Sequence, residues 1–152
     1  SLIPQTVIGQ GDTQISPLHN AMIMSTIANG GVMMKPYIVD HIENYEGVNV
    51  KRFTPSVYKR LMTAGEAETM TELLEGVVDY GTGYAVNTDA YSVAGKTGTA
   101  EYNSEGKSHS WFVGFSNVDN PDIVVCVVVE EADTSGIRAT NVARQIFDAY
   151  YQ

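Results

Sequence analysis

Val93-Ala94-Gly95-Lys96-Thr97-Gly98-Thr99-Ala100-Glu101 is the stretch on which the reading of this chain turns. Its Gly95-Lys96-Thr97 core invites comparison with a phosphate-binding loop, in which glycine-rich backbone cradles phosphate and a lysine and a hydroxyl follow. The spacing excludes it. Such a loop needs glycine five residues before Gly95, where Ala90 stands, and it opens a helix. Here the β-branched residues and the following Asn103-Ser104-Glu105-Gly106 turn signal a strand. The other glycine pairs miss the dinucleotide-binding pattern, since Gln14 and Val86 stand where Gly9-Gln10-Gly11 and Gly81-Thr82-Gly83 would need a third glycine.

Outward from the motif, Tyr91 to Tyr102, His109 to Asn117 and Ile123 to Glu130 read as three strands joined by short turns, which predicts an antiparallel meander. A last helix from about Ile137 to Tyr151 presents Ala139, Val142, Ala143, Ile146, Phe147 and Tyr150 on one stripe, suited to lying across that sheet. Upstream, Thr63 and Glu66 form a capping box ahead of Met70, Leu73, Leu74, Val77 and Val78 at helical spacing, and Gly81 ends the run. Ser16-Pro17 is an N-cap followed by proline at the first helical position. It opens a helix over Leu18 to Ala28 that is rich in Met, Ile and Ala and expected to be largely buried. Residues 37–42 and 48–53 flank Tyr45-Glu46-Gly47 as a hairpin or a pair of short strands. The fold class is α+β, an antiparallel sheet flanked by helices, in one domain over residues 1–152 with no internal repeat.

The net charge of -9, from 18 acidic against 9 basic residues, opposes binding to nucleic acid, and the pairs Lys51-Arg52 and Lys59-Arg60 read as solvated strand surface. Cys126 is the single cysteine, so no internal disulfide forms, and its apolar surroundings predict an inert thiol. No apolar run approaches the length of about 20 residues needed to span a bilayer. His19, His41 and His109 have no partners at metal-ligand or triad spacing, so no metal and no cofactor is expected, and each reads as structural: His19 as core or cap, His41 as strand surface, His109 as a neighbour of Trp111.

A strand ending in Lys96-Thr97-Gly98-Thr99 offers an ammonium, two hydroxyls and a position without a side chain, a set suited to a peptide or acyl substrate bearing a carboxylate. Lys-Thr-Gly is also a signature of serine β-lactamases and penicillin-binding proteins. The resemblance to penicillin-binding transpeptidases then extends in order along most of the chain. It runs through Gly9-Gln10-Gly11 with Ser16-Pro17-Leu18-His19, Ile27-Ala28-Asn29-Gly30-Gly31 with Pro36, and Leu73 to Val78 with Gly81-Thr82-Gly83. It continues through Ala94 to Glu101 and His109-Ser110-Trp111-Phe112-Val113-Gly114-Phe115. The resemblance implies the C-terminal half of the serine β-lactamase and penicillin-binding transpeptidase fold.

The same resemblance implies a parent that cross-links peptidoglycan stem peptides, is acylated by β-lactams and is anchored at the extracytoplasmic face of the bacterial membrane. In that family Lys96 supplies charge and Thr97 and Thr99 bond the substrate carboxylate. Gly98 and Ala100 belong to the substrate-binding strand edge, and the Thr99 backbone N–H is half of an oxyanion hole. The family's nucleophile lies in a Ser-x-x-Lys motif that opens a buried helix well before the Lys-Thr-Gly strand. Ser104-Glu105-Gly106-Lys107 matches formally but follows that strand in a turn, and no Ser-x-Asn precedes Lys96, so the chain alone is expected to be inert. Alternatives are a β-lactamase-like hydrolase fragment and a non-catalytic binding or assembly module of the same fold. Ile123 to Glu130 is expected to expose an unpartnered strand edge through which copies self-associate, and a lysine at Val125 or Val127 is expected to block it.

Overall fold

The structure, a computed structural model, describes residues 14–102 and 106–152. Its elements run in the order helix α1 (Pro17–Ala28), strands β1 (Val32–Met34), β2 (His41–Glu43), β3 (Asn49–Arg52) and β4 (Val57–Arg60), and helix α2 (Ala64–Asp79). After a 3-10 turn (Tyr84–Val86) come β5 (Val93–Glu101), β6 (Ser108–Ser116) and β7 (Ile123–Val129), then the short helix α3 (Ala132–Ser135) and helix α4 (Ala139–Tyr150). The expected meander is present: β5 pairs antiparallel with β6 from Val93↔Ser116 to Glu101↔Ser108, and β6 with β7 from Ser110↔Val129 to Ser116↔Ile123.

Strand alternation divides the sheet residues between two cores. On one face Ala94, Val113 and Phe115 meet Met24 and Ile27 of α1 and Leu74 of α2. On the other, Val93, Phe112, Val125 and Val127 meet Ala139, Ala143 and Phe147 of α4. Phe112, Phe115 and Phe147 are fully buried, each contributing about 2–3 kcal/mol by leaving water. The Phe112 ring lies over the facing pair Gly95 and Gly114, and a Cβ at either position would come within 3.0 Å of it. These two glycines are therefore packing residues.

Local capping forms as the sequence predicts. The Ser16 hydroxyl accepts the His19 N–H at the start of α1. At α2 the Thr63 and Glu66 side chains each accept the other's backbone N–H, which holds the Glu66 carboxyl below its usual range. The buried faces differ from expectation. Helix α1 buries only Met24, Thr26 and Ile27 and leaves Leu18 exposed, because apolar residues surround it and do not mark a face. Helix α2 turns Ala67, Leu74 and Val78 inward but Leu73 and Met70 outward. Helix α4 buries Ala139, Thr140, Ala143 and Phe147, while Ile146 and Tyr150 are exposed: the alanines let the helix approach the sheet, and the stripe is set by that close row.

Two features lie beside the main sheet. Strands β1 and β4 form a ribbon that the sequence did not signal, and β2 and β3 form the expected hairpin, exposed along its length. On that hairpin both ring nitrogens of His41 lie 2.8 Å from a carboxylate, of Asp40 and of Glu43. These bonds raise its tendency to hold a proton.

Among the described residues no strand pairs with the outer edge of β7. Val125 and Val127, however, are both buried against α4, so neither can carry an outward lysine. Val128, opposite Trp111, is one of the half-exposed positions on the other face of this strand.

Candidate active site

Strand β5 is the other edge of the three-stranded sheet, paired only with β6 among the described residues. Its first residues, Val93 to Gly95, are buried, and from Lys96 onward the strand emerges at the surface. Lys96 is exposed on the face that carries Ala94, Gly98 and Ala100, and its Nζ donates to the Thr97 carbonyl at 2.8 Å. Gly98 stands opposite Trp111, whose Cβ would be 3.1 Å from any Cβ added there. Thr99 is exposed opposite Ser110, and Ala100 is half-buried opposite His109.

A cleft of about 450 Å³ opens on this end of β5. Its floor is Gly98, Thr99, Ala100, His109 and Trp111, and its rim is Gln14, Ile15 and Asn20 from the entry to α1. The His109 Nδ1 accepts the Glu131 N–H at 3.1 Å, and its ring stacks on Tyr102 with centroids 4.4 Å apart. The backbone bond fixes the tautomer with hydrogen on Nε2. His109 thus borders the cleft, a place that its sequence context, beside Trp111, only hinted at.

Thr97 lies on the other face of β5 from Lys96, the face it shares with the cleft-lining Thr99, and its Oγ1 lies 2.6 Å from that of Thr82. Nothing in Gly81-Thr82-Gly83 as a sequence marks this threonine as a partner of the motif strand. His19 is exposed, not core, and enters the helix cap through its backbone alone. Cys126 is half-buried, and burial pushes its thiol upward, away from nucleophilic use.

A larger hollow of about 550 Å³ lies between α1, α2 and the β6–β7 turn, lined in part by Glu68, Glu72, Glu75 and Asp119. No residue of the Lys-Thr-Gly strand borders it. Burial first, then Asp79, Asp119 and Glu72, raise the Glu75 carboxyl above its usual range.

The nucleophile question can be put to each formal Ser-x-x-Lys. The Ser104 match, like the Gly9-Gln10-Gly11 segment, lies outside the described residues, since 1–13 and 103–105 are not described. A second match, Ser56-Val57-Tyr58-Lys59, went unrecognised in the sequence. It opens no helix: Ser56 precedes β4 and Lys59 lies within that strand, whereas the family's pair sits one turn apart on a helix. Ser56 and Lys59 are therefore not a serine–base pair.

The profile of the penicillin binding protein transpeptidase domain matches residues 3–148. The chain belongs to that transpeptidase family. Among its relatives, the peptidoglycan D,D-transpeptidase PbpA of Mycobacterium tuberculosis is 32% identical over 155 residues, covering 97% of this chain and 31% of that one. The peptidoglycan D,D-transpeptidase MrdA of Acinetobacter baumannii is 30% identical over 155 residues, covering 93% and 23%. The imipenem acyl-enzyme complex of penicillin-binding protein A from M. tuberculosis superposes with a TM-score of 0.87 at 32% identity, over 97% of this chain and 33% of that one. The transpeptidase fold is thus shared, and the chain spans less than a third of the curated relatives it matches.

Proposed function

We propose that this chain builds the Lys-Thr-Gly wall of a peptidoglycan D,D-transpeptidase active site, and that the serine nucleophile and its base come from residues outside these 152. One observation carries the reading. Along an edge strand that has no strand partner on its outer side among the described residues, an ammonium, a hydroxyl and a position without a side chain follow in order beside an open cleft. A stem peptide, or a β-lactam in its place, would lie along β5 with its carboxylate toward Lys96, Thr97 and Thr99. Gly98 would allow the close approach, and Ala100 would border the bound chain. The Thr99 N–H would meet the carbonyl oxygen as negative charge develops on it. The names of the relatives, and the imipenem acyl-enzyme among the similar structures, support this assignment. They also support action on the outer side of the bacterial membrane. Among the described residues no helix is long and apolar enough to cross a membrane.

The isolated chain is expected to form no covalent adduct with a fluorescent penicillin. Intact mass showing a stoichiometric acyl adduct on any serine would overturn the division of the site.

The unpartnered β7 edge gives the isolated chain a route to self-association by strand pairing. Light scattering is expected to show concentration-dependent oligomers that Val128→Lys shifts toward monomer. A wild-type chain that stays monomeric at high concentration counts against edge pairing.

A further inference from the structure

We infer that Thr82 is a positioning residue for the transpeptidase site, holding the Thr97 hydroxyl so that its hydrogen is directed at the substrate carboxylate; this rests on the function proposed above.

The loop that carries Thr82 is a built holder. A Cβ at Gly81 would lie 2.8 Å from the Val77 carbonyl oxygen, and one at Gly83 would lie 3.0 Å from the same atom and 3.3 Å from Val78. The Gly83 N–H donates to that oxygen at 2.9 Å, closing the loop against the end of α2. Just beyond, Val86 is fully buried and anchors the exit. Two glycines, one with no room for a side chain and one with little, thus seat the backbone, and the single side chain between them reaches Thr97 at 2.6 Å.

Hydrogen accounting gives the direction. Each hydroxyl carries one hydrogen and two lone pairs, so only one of the two threonines can donate to the other. If Thr97 donated to Thr82, it would turn only lone pairs toward an incoming carboxylate. If Thr82 donates, the Thr97 hydrogen is left for the anion, and the Thr82 bond polarises it further. A carboxylate ligand selects the second arrangement. Lys96 cannot fix this rotor, because its Nζ bonds the Thr97 carbonyl, not the hydroxyl.

The test uses the full-length enzyme, with the serine-bearing part present, and measures second-order acylation by benzylpenicillin and by its methyl ester, which lacks the carboxylate charge. Thr82→Val keeps shape and removes the donor. It is expected to slow benzylpenicillin about fivefold, the scale of one neutral hydrogen bond, while the methyl ester stays within about twofold. Thr82→Ser restores the wild-type rate. Three results would each overturn the inference: Thr82→Val acylating at the wild-type rate, both probes falling equally, or Thr82→Ser falling as far as Thr82→Val. A full-length wild type that benzylpenicillin does not acylate would remove the proposed function itself, and the inference with it.

Discussion

Lys96→Ala in the full-length enzyme is expected to lower second-order acylation by benzylpenicillin on the order of a hundredfold, since deleting the ammonium opposite a ligand carboxylate costs about 3 kcal/mol. Thr97→Ser keeps a hydroxyl at the same place and is expected to stay within about threefold. The contrast arises from geometry. Lys96 is the one cation on the exposed half of β5, on the same sheet face as the Gly98–Ala100 floor of the cleft. Among the described residues its ammonium bonds a neighbouring carbonyl alone, which a carboxylate can displace. Stopped-flow acylation rates check this. Equal rates for Lys96→Ala and wild type would take Lys96 out of the site and leave the Lys-Thr-Gly strand as structure alone.

The largest effect on folding is expected at Gly114, in the central strand. A Cβ there would stand 2.6 Å from the Ala94 carbonyl oxygen, 2.9 Å from Phe112 Cζ and 3.0 Å from Gly95 Cα. Two of those three obstacles are backbone, so no rotamer change relieves them. Gly114→Val must push β5 off β6 and is expected to cost more than about 4 kcal/mol, enough to unfold many domains of this size. Phe112→Ala, which empties the space over both glycines without touching the ladder, is expected to cost about 3–5 kcal/mol. Gly65→Ala serves as control: nothing lies within 4 Å of a Cβ there, and its denaturation midpoint is expected at or slightly above wild type. A Gly114→Val protein with a wild-type midpoint in urea would show that the strands can separate at no cost.

What was legible in the sequence is what local chemistry decides. Thr63 with Glu66, Ser16 with Pro17, and the short turn between β6 and β7 each act within a few residues, and each stands where expected. Which way a helix turns depends on what it meets, so Leu73, Met70, Ile146 and Tyr150 face outward despite their apolar side chains. The pairing of β1 with β4 was invisible because each is too short to show a period, and a whole hairpin lies between them. Thr82 was missed for a similar reason. Its partner is fifteen residues away in the chain, and nothing in Gly81-Thr82-Gly83 says that the threonine will turn toward the motif strand. The motif itself was legible in Lys96 to Thr99, whereas the cleft beside it, with His109, Ile15 and Asn20, is assembled from distant segments.

Helix α1 lies against β6 and β7, the middle and last strands of the sheet. During synthesis the helix leaves the ribosome first and its platform last. At about 5–20 residues per second, Met24 and Ile27 wait several seconds before Val124 and Cys126 arrive to cover them. The hairpin of β5 and β6 closes from neighbouring segments and needs no such wait. Between those two moments the nascent chain carries an uncovered apolar helix, a natural point of attachment for a holding chaperone.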